Sequence, residues 1–241
     1  MGRAYQPWYA AIPGKHNSDF EQSINRLVKG NTFKDASTVC VIPTRSGMLP
    51  TKVATAIWNL MSPMNQPFFK FCVEGKEVAQ AYNDTVEMIL GNPTLSKWKY
   101  LLTVEEDNIP PPDGLLKLME SIEKYDAVGG LYWTKGEGGQ PMIYGDPKEL
   151  PKNFRPQIPT ADQVQECNGL GMGFTLFRLG MFKRLPKPWF KTVQEYQYGV
   201  GAKVMTQDLY FFEQAGREGY RFASDNRVKV GHLDVQTGEV W

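Results

Sequence analysis

With 241 residues, 41% of them hydrophobic and 12% aromatic, the chain can bury the core of one α/β domain. Its formal net charge of +1 excludes a nucleic-acid binder held by bulk charge and leaves partners to be argued from local sites. No apolar run is long enough to span a bilayer, and residues 1–6 lack the apolar core of a secretory leader. Cys40, Cys72 and Cys167 are widely spaced and have no CxxC or Cys/His partner, so buried, reduced thiols and a cytoplasmic setting are expected.

Residues 1–17 carry Tyr5, Trp8 and Tyr9 among Pro7, Pro13 and Gly14, an irregular arm whose aromatics pack on the domain or on a ligand. Ser18-Asp19-Phe20-Glu21 has the form of a capping box, and Phe20, Ile24 and Leu27 or Val28 give one apolar helix face up to Gly30. This arm and helix, residues 1–37, precede the main domain, residues 38–241. Residues 38–43 read as a fully buried strand, and Thr44-Arg45-Ser46-Gly47 as the loop at its carboxyl end. Val53, Ile57, Leu60 and Met61 recur at helical spacing over residues 50–62. Residues 68–73 predict a second strand ending at Glu74-Gly75, and Val78, Tyr82, Val86 and Ile89 mark the helix behind it. A third unit runs from Trp98 to Val104 and on to a helix carrying Leu115, Leu118, Met119 and Ile122, with Pro112 and Asp113 suited to its first turn.

Three consecutive strand–loop–helix units predict a mostly parallel sheet flanked by helices. Residues 127–131 continue it as a fourth strand. From Tyr132 to Gln165 the chain is rich in Gly, Pro and Lys without a period, which predicts ligand-proximal loops and short strands. Asn168-Gly169-Leu170-Gly171-Met172-Gly173 leads into a strand at residues 174–177 and a short helix around Met181. Thr206 can cap a helix that carries Leu209, Phe212 and Ala215 and closes at Gly219. Residues 220–223 and 228–230 are the last regular elements, followed by Gly231-His232.

The third strand ends abruptly at Glu105-Glu106-Asp107. In an open parallel sheet, ligands bind beyond the carboxyl ends of the strands. If side chains alternate past Val104, Glu105 and Asp107 face one crevice and Glu106 the other side. Two such carboxylates suit Mg2+ or Mn2+, with substrate phosphates completing the shell. The plain alternative is a strand capped by solvated acids.

Taken in order, Pro43-Thr44-Arg45, a strand ending in Glu74, the acidic triplet, the Gly-rich loop, Pro188-Trp189-Phe190, Asp208 at a helix start and Gly231-His232 resemble the GT-A fold glycosyltransferases. The likeness is greatest to the family 2-like enzymes that use a nucleotide-diphosphate sugar, and covers residues 38–234. It implies a single Rossmann-like domain and a hexosyltransferase dependent on Mn2+ or Mg2+. Pro43, Thr44 and Arg45 would border the nucleotide. Glu74 would accept a hydrogen bond from the base, which suits the N3–H of uracil and favours a UDP-sugar.

The resemblance sets Glu105-Glu106-Asp107 in the place of an Asp-x-Asp motif, with Glu105 toward the ribose or the metal, Glu106 beside the donor, and Asp107 on the metal. His232 would be the distal ligand. Ala81-Tyr82-Asn83 stands where Ala-Arg-Asn is usual, which keeps Asn83 at the donor and removes the arginine. Asn168, Gly169 and Gly171 would bring backbone close to the donor sugar. Asp208 would take the proton of the acceptor hydroxyl, which implies inversion. Trp133, Tyr144 and Trp189 offer stacking faces to an acceptor or are core aromatics. The acceptor stays open among a saccharide, a lipid-linked sugar, a protein side chain and a hydroxylated nucleic-acid base. A sugar nucleotidyltransferase and a silent sugar-nucleotide or glycan-binding module are the alternative functions.

Overall fold

The computed structural model describes residues 35–199 and 201–241. The N-terminal arm and amphipathic helix expected from residues 1–34 lie outside the described residues. The chain runs through β1 (Thr38–Thr44), α1 (Thr51–Trp58), β2 (Phe68–Glu74), α2 (Val78–Gly91), β3 (Tyr100–Val104), β4 (Asn108–Ile109), α3 (Gly114–Ser121) and β5 (Ala127–Leu131). It continues with β6 (Ile143–Tyr144), β7 (Val164–Cys167), β8 (Gly169–Leu170), β9 (Phe174–Arg178), α4 (Leu179–Phe182), β10 (Val193–Gln197), β11 (Gly201–Met205), α5 (Gln207–Arg217), β12 (Phe222–Lys229) and β13 (Gly231–His232).

A seven-stranded sheet in the order β2-β1-β3-β9-β5-β12-β7 forms the centre. β1 pairs in parallel with β2 and β3, and β12 with β5, while β9 runs antiparallel between β3 and β5, and β7 antiparallel on β12. The sheet is therefore mixed but mostly parallel. All seven residues of β1 are buried, as a central strand covered on both faces requires. β2 lies at the edge and alternates in exposure, which leaves Cys72 exposed and corrects the expectation that it is buried.

Side-chain alternation divides the core. Val39, Val41, Leu101 and Phe177 face α2 and α5, where Tyr82, Val86, Phe211 and Phe212 pack. Cys40, Ile42, Leu102 and Val104 face α1 and α3 through Val53, Ile57, Leu115 and Leu118. On the first side Phe177, Phe182, Phe190, Phe211 and Phe212 make a continuous aromatic cluster, with Phe190 and Phe211 stacked at 4.9 Å between ring centroids. Such stacks add specific geometry to a large buried apolar area.

Two elements differ from the sequence reading. The polar stretch at 193–205 is an antiparallel hairpin, β10–β11. The stretches read as two elements, at 220–223 and 228–230, are linked by one strand, β12, because the polar residues between them find partners within the strand and on neighbouring segments. Arg227 bonds Asp225 at 2.6 Å and Glu120 at 3.0 Å, and Asn226 donates to the Thr160 carbonyl at 2.8 Å.

The antiparallel entry of β9 brings the Gly-rich loop to the carboxyl end of β3. Val104 pairs with Phe174, and the Glu105 amide donates to the Gly173 carbonyl at 3.2 Å. Phe177→Ala, at the junction of the aromatic cluster, is expected to lower unfolding free energy by about 3–5 kcal/mol. Phe69→Ala, on the half-open edge strand, should cost under about 1 kcal/mol. Urea unfolding of both variants checks this, and equal losses would contradict the placement of the core.

Candidate active site at the strand ends

β3 stops because the chain turns, not because it leaves the sheet as an extended strand. The Asn108 amide donates to the Glu105 carbonyl at 3.0 Å, closing a turn over Glu105-Glu106-Asp107. Strict alternation therefore fails, and the three carboxylates fan out to three partners. Glu105 Oε1 accepts from the Tyr82 hydroxyl at 3.3 Å, Glu106 Oε2 from the Arg45 amide at 2.9 Å, and Asp107 Oδ2 from Lys135 Nζ at 2.5 Å.

All three acids line a cleft of about 590 Å³ with Pro43, Thr44, Arg45, Gly75, Lys76, Glu77 and Val78. The cleft lies over the carboxyl ends of β1, β2 and β3, where a ligand of a parallel sheet is expected. Glu74 stands exposed beside it, with its carboxylate against the positive-φ Gly47.

β13 returns to this turn. Gly231 and His232 pair with Ile109 and Asn108, and the Leu233 amide donates to the Asp107 carbonyl at 2.7 Å. His232 Nδ1 meets the Trp133 carbonyl at 2.7 Å. Since a carbonyl only accepts, Nδ1 carries the proton and Nε2 is directed at Asp107 Oδ2, 3.4 Å away. A histidine fixed in this way by a backbone carbonyl is held as metal-ligating histidines are. Among the described residues no group of three or more His, Cys, Asp or Glu side chains is arranged to hold a metal. Asp107 and His232 thus fit a cation only as two protein ligands whose remaining positions come from a substrate.

Burial pushes Glu105 up to about 8, helped by the charges of Asp107 and Asp208 and opposed by the Tyr82 hydroxyl. Burial also raises Asp208, although the Thr206 hydroxyl and the Leu209 amide, 2.9 Å from Oδ1, pull it back. For Asp107 burial acts in the same direction, but the neighbouring His232 and the hydrogen bond from Lys135 outweigh it and hold this carboxylate below its ordinary range. Buried Tyr132 and half-buried Tyr144 are raised by desolvation and by the nearby acids. Strand ends and the first turn of α5 therefore enclose a cluster of carboxylates and phenols.

Other predicted site residues have internal partners. Asn83 donates to the Ala79 and Phe190 carbonyls and accepts from the Trp189 and Phe190 amides, so its amide clamps the Pro188-Trp189-Phe190 segment. Trp189 is buried in the aromatic core, with its indole N–H on the Phe182 carbonyl at 3.0 Å, which is the core reading rather than an acceptor face. Buried Asn168 donates to the Asn153 carbonyl at 2.9 Å. A Cβ at Gly171 would overlap the Tyr132 hydroxyl, and one at Gly169 would press on Phe154. These glycines make room for protein atoms. Trp133 keeps an exposed indole, and the Tyr144 hydroxyl contacts Met142 Sδ at 3.1 Å.

Tyr82, Tyr132 and Lys135 were not singled out as site residues in the sequence. Tyr82 fills the position of the missing arginine, and Lys135 stands at the head of the Gly136-Glu137-Gly138-Gly139 run. The buried Asn108 side chain leaves both amide atoms without a hydrogen-bond partner, packed against Gly173.

No protein family and no curated protein matches the sequence. Among solved structures, the chain is similar to A197 from STIV with a TM-score of 0.59 and 18% identity, over 85% of this chain and 92% of that one. It is also similar to GalNAc-T7, crystallised with UDP, GalNAc and Mn2+, with a TM-score of 0.56 and 10% identity. That match covers 93% of this chain and 56% of the other, so the chain spans little more than half of GalNAc-T7. The fold is GT-A-like. Among the described residues no helix is long and apolar enough to cross a membrane.

Glu105 offers a direct check on the electrostatics. Its folded pKa lies above the unfolded value of 4.5, so the stability associated with its protonated form is full below that value and is lost as pH rises through about 8. Glu105→Gln keeps the acceptor for Tyr82 without the charge. In chelator it should match wild type at pH 5 and exceed it by about 2–4 kcal/mol at pH 9. A pH-independent difference in urea unfolding would refute the assignment.

Proposed function

We propose that the chain transfers a hexosyl group from a nucleotide-diphosphate sugar, with UDP-sugars favoured, to an acceptor hydroxyl with inversion. The observation that carries this reading is the meeting of Asp107 and a carbonyl-oriented His232 at the edge of the cleft over the parallel strand ends. Asp208 stands close enough to raise the pKa of Glu105.

In this reading Pro43, Thr44 and Arg45 border the nucleotide, and Glu74 accepts from the base. Glu106 holds the Arg45 backbone and so shapes the wall of the cleft. Asp107 and His232 would hold Mn2+ or Mg2+, with the donor phosphates completing its shell. When bound, the cation supplies Lewis-acid stabilisation of the charge developing on the leaving diphosphate. Asp208 takes the acceptor proton as the hydroxyl attacks the anomeric carbon. Burial brings its affinity for a proton closer to what a base at neutral pH requires. Trp133, exposed beside His232, is the surface offered to the acceptor, and Tyr144 stands beside Asp208. Glu105 closes the floor of the site through Tyr82.

A silent binding module would have no use for two enclosed carboxylates, Glu105 and Asp208, whose charged forms disfavour folding. This favours catalysis. The test is release of sugar and nucleotide from UDP-, GDP-, TDP- and CMP-sugars with Mn2+ or Mg2+, alongside nucleotide binding by calorimetry. Asp208→Asn is expected to lower turnover about 10²–10⁴-fold while donor binding changes little. Asp107→Ala is expected to lose the metal-dependent part of nucleotide binding. Full turnover of Asp208→Asn, or full activity in chelator, would overturn the corresponding role.

A further inference from the structure

The segment from Tyr132 to Met142 is a closed hairpin loop. The Met142 amide donates to the Tyr132 carbonyl at 2.9 Å, the Thr134 amide to the Gln140 carbonyl at 2.8 Å, and Trp133 bridges Pro141. Its tip turns through Gly136 and Gly138, at φ +94° and +75°, values that glycine adopts without strain. From the first arm of this loop, two positions separated by one residue reach the same place. Trp133 fixes His232 through its carbonyl, and Lys135 places its ammonium 2.5 Å from Asp107 Oδ2.

That oxygen is the one directed at His232 Nε2. A divalent ion bound between Oδ2 of Asp107 and Nε2 of His232 would compete with Lys135 for that oxygen, because two cations on one carboxylate oxygen repel each other strongly. The pair is only partly exposed, 32% for Lys135 and 25% for Asp107, so solvent screens it incompletely.

We propose that Lys135 is a positioning residue that alternates with the divalent cation on Asp107: the cation displaces its ammonium, which then moves to the donor diphosphate. The inference rests on the transferase reading above and adds a residue and an order of binding to it. A lysine ammonium on a flexible stem, carried by a glycine-bearing loop, can make this exchange, and phosphate offers it a new counter-charge. Metal and nucleotide then favour each other, because the nucleotide receives the lysine that the metal expels. By linkage, each must tighten the other by the same factor.

The experiment measures Mn2+ binding by the loss of its free-ion electron paramagnetic resonance signal, with and without UDP. It compares the full-length wild type with Lys135→Met and, as a polar replacement, Lys135→Gln, each checked for folding by circular dichroism. Without nucleotide, both variants are expected to bind Mn2+ about two- to fivefold more tightly than wild type, the size of a partly exposed ion pair removed from competition. With saturating Mn2+, UDP affinity should fall several-fold in both, and the gain in Mn2+ affinity caused by UDP should shrink by a matching factor.

Wild type that binds Mn2+ alongside variants that bind it no more tightly overturns the exchange and leaves the metal site standing. UDP affinity unchanged in the variants overturns the transfer to phosphate. If no form of the protein takes up Mn2+ even with UDP, the metal reading fails and the inference fails with it.

Discussion

The structure depends on keeping negative charge enclosed where β3 ends. Glu105, which lines the cleft, and Asp208 stand near one another, and each is stabilised by neutral donors: the Tyr82 hydroxyl for Glu105, and the Thr206 hydroxyl and Leu209 amide for Asp208. Neutral donors compensate a buried carboxylate only in part, so both groups are displaced toward their protonated forms. The free energy that holds them comes from the layer behind them. Tyr82 on α2 and Phe211 and Phe212 on α5 anchor the two helices to the sheet through the aromatic cluster. The same helices that form the core therefore hold the acids in place.

Asp107 is treated differently although it lies two residues away. It has cationic and hydrogen-bonding partners, and its charge is favoured. The turn over residues 105–108 makes the difference by sending each carboxylate in its own direction. An extended continuation of β3 would have set Glu105 and Asp107 on one face with a shared and larger repulsion. One acidic run thus supplies an enclosed, protonatable group, a brace on the Arg45 loop and an ionised carboxylate beside His232.

How much of this was legible in the sequence follows from the range of the forces involved. The first three strand–helix units show in their apolar periodicities, since burial of β1, α1, α2 and β3 is imposed residue by residue. The antiparallel direction of β9 is not written locally, because it depends on which edges β3 and β5 present to it. β12 was read as two pieces because Asp225, Asn226 and Arg227 look like a turn until Ser121, Glu120 and Thr160 supply their partners. Asp107 and His232 were visible as members of an ordered set. Lys135 was hidden because only the closed hairpin carries it to Asp107. Asn83, Gly169 and Gly171 were assigned to a ligand where hydrogen bonding and packing within the protein account for them.

The hairpin from Tyr132 to Met142 joins these parts. The Tyr132 hydroxyl accepts from the Gly173 amide at 2.9 Å, and the Gly173 carbonyl in turn accepts from the Glu105 amide. Trp133 orients His232 through its carbonyl while its own indole faces solvent, and Lys135, the third residue after Tyr132, neutralises Asp107. Because one short segment sets the position of the acidic turn, the tautomer of the histidine and the charge balance of the carboxylate, these properties cannot change independently. A shift of its first arm away from Asp107 would draw the Trp133 carbonyl from His232 and so alter the surroundings of Asp107 and His232 together. Coupling of this kind needs no chain of contacts across the domain, since the coupled groups are three neighbours on one strand of a loop.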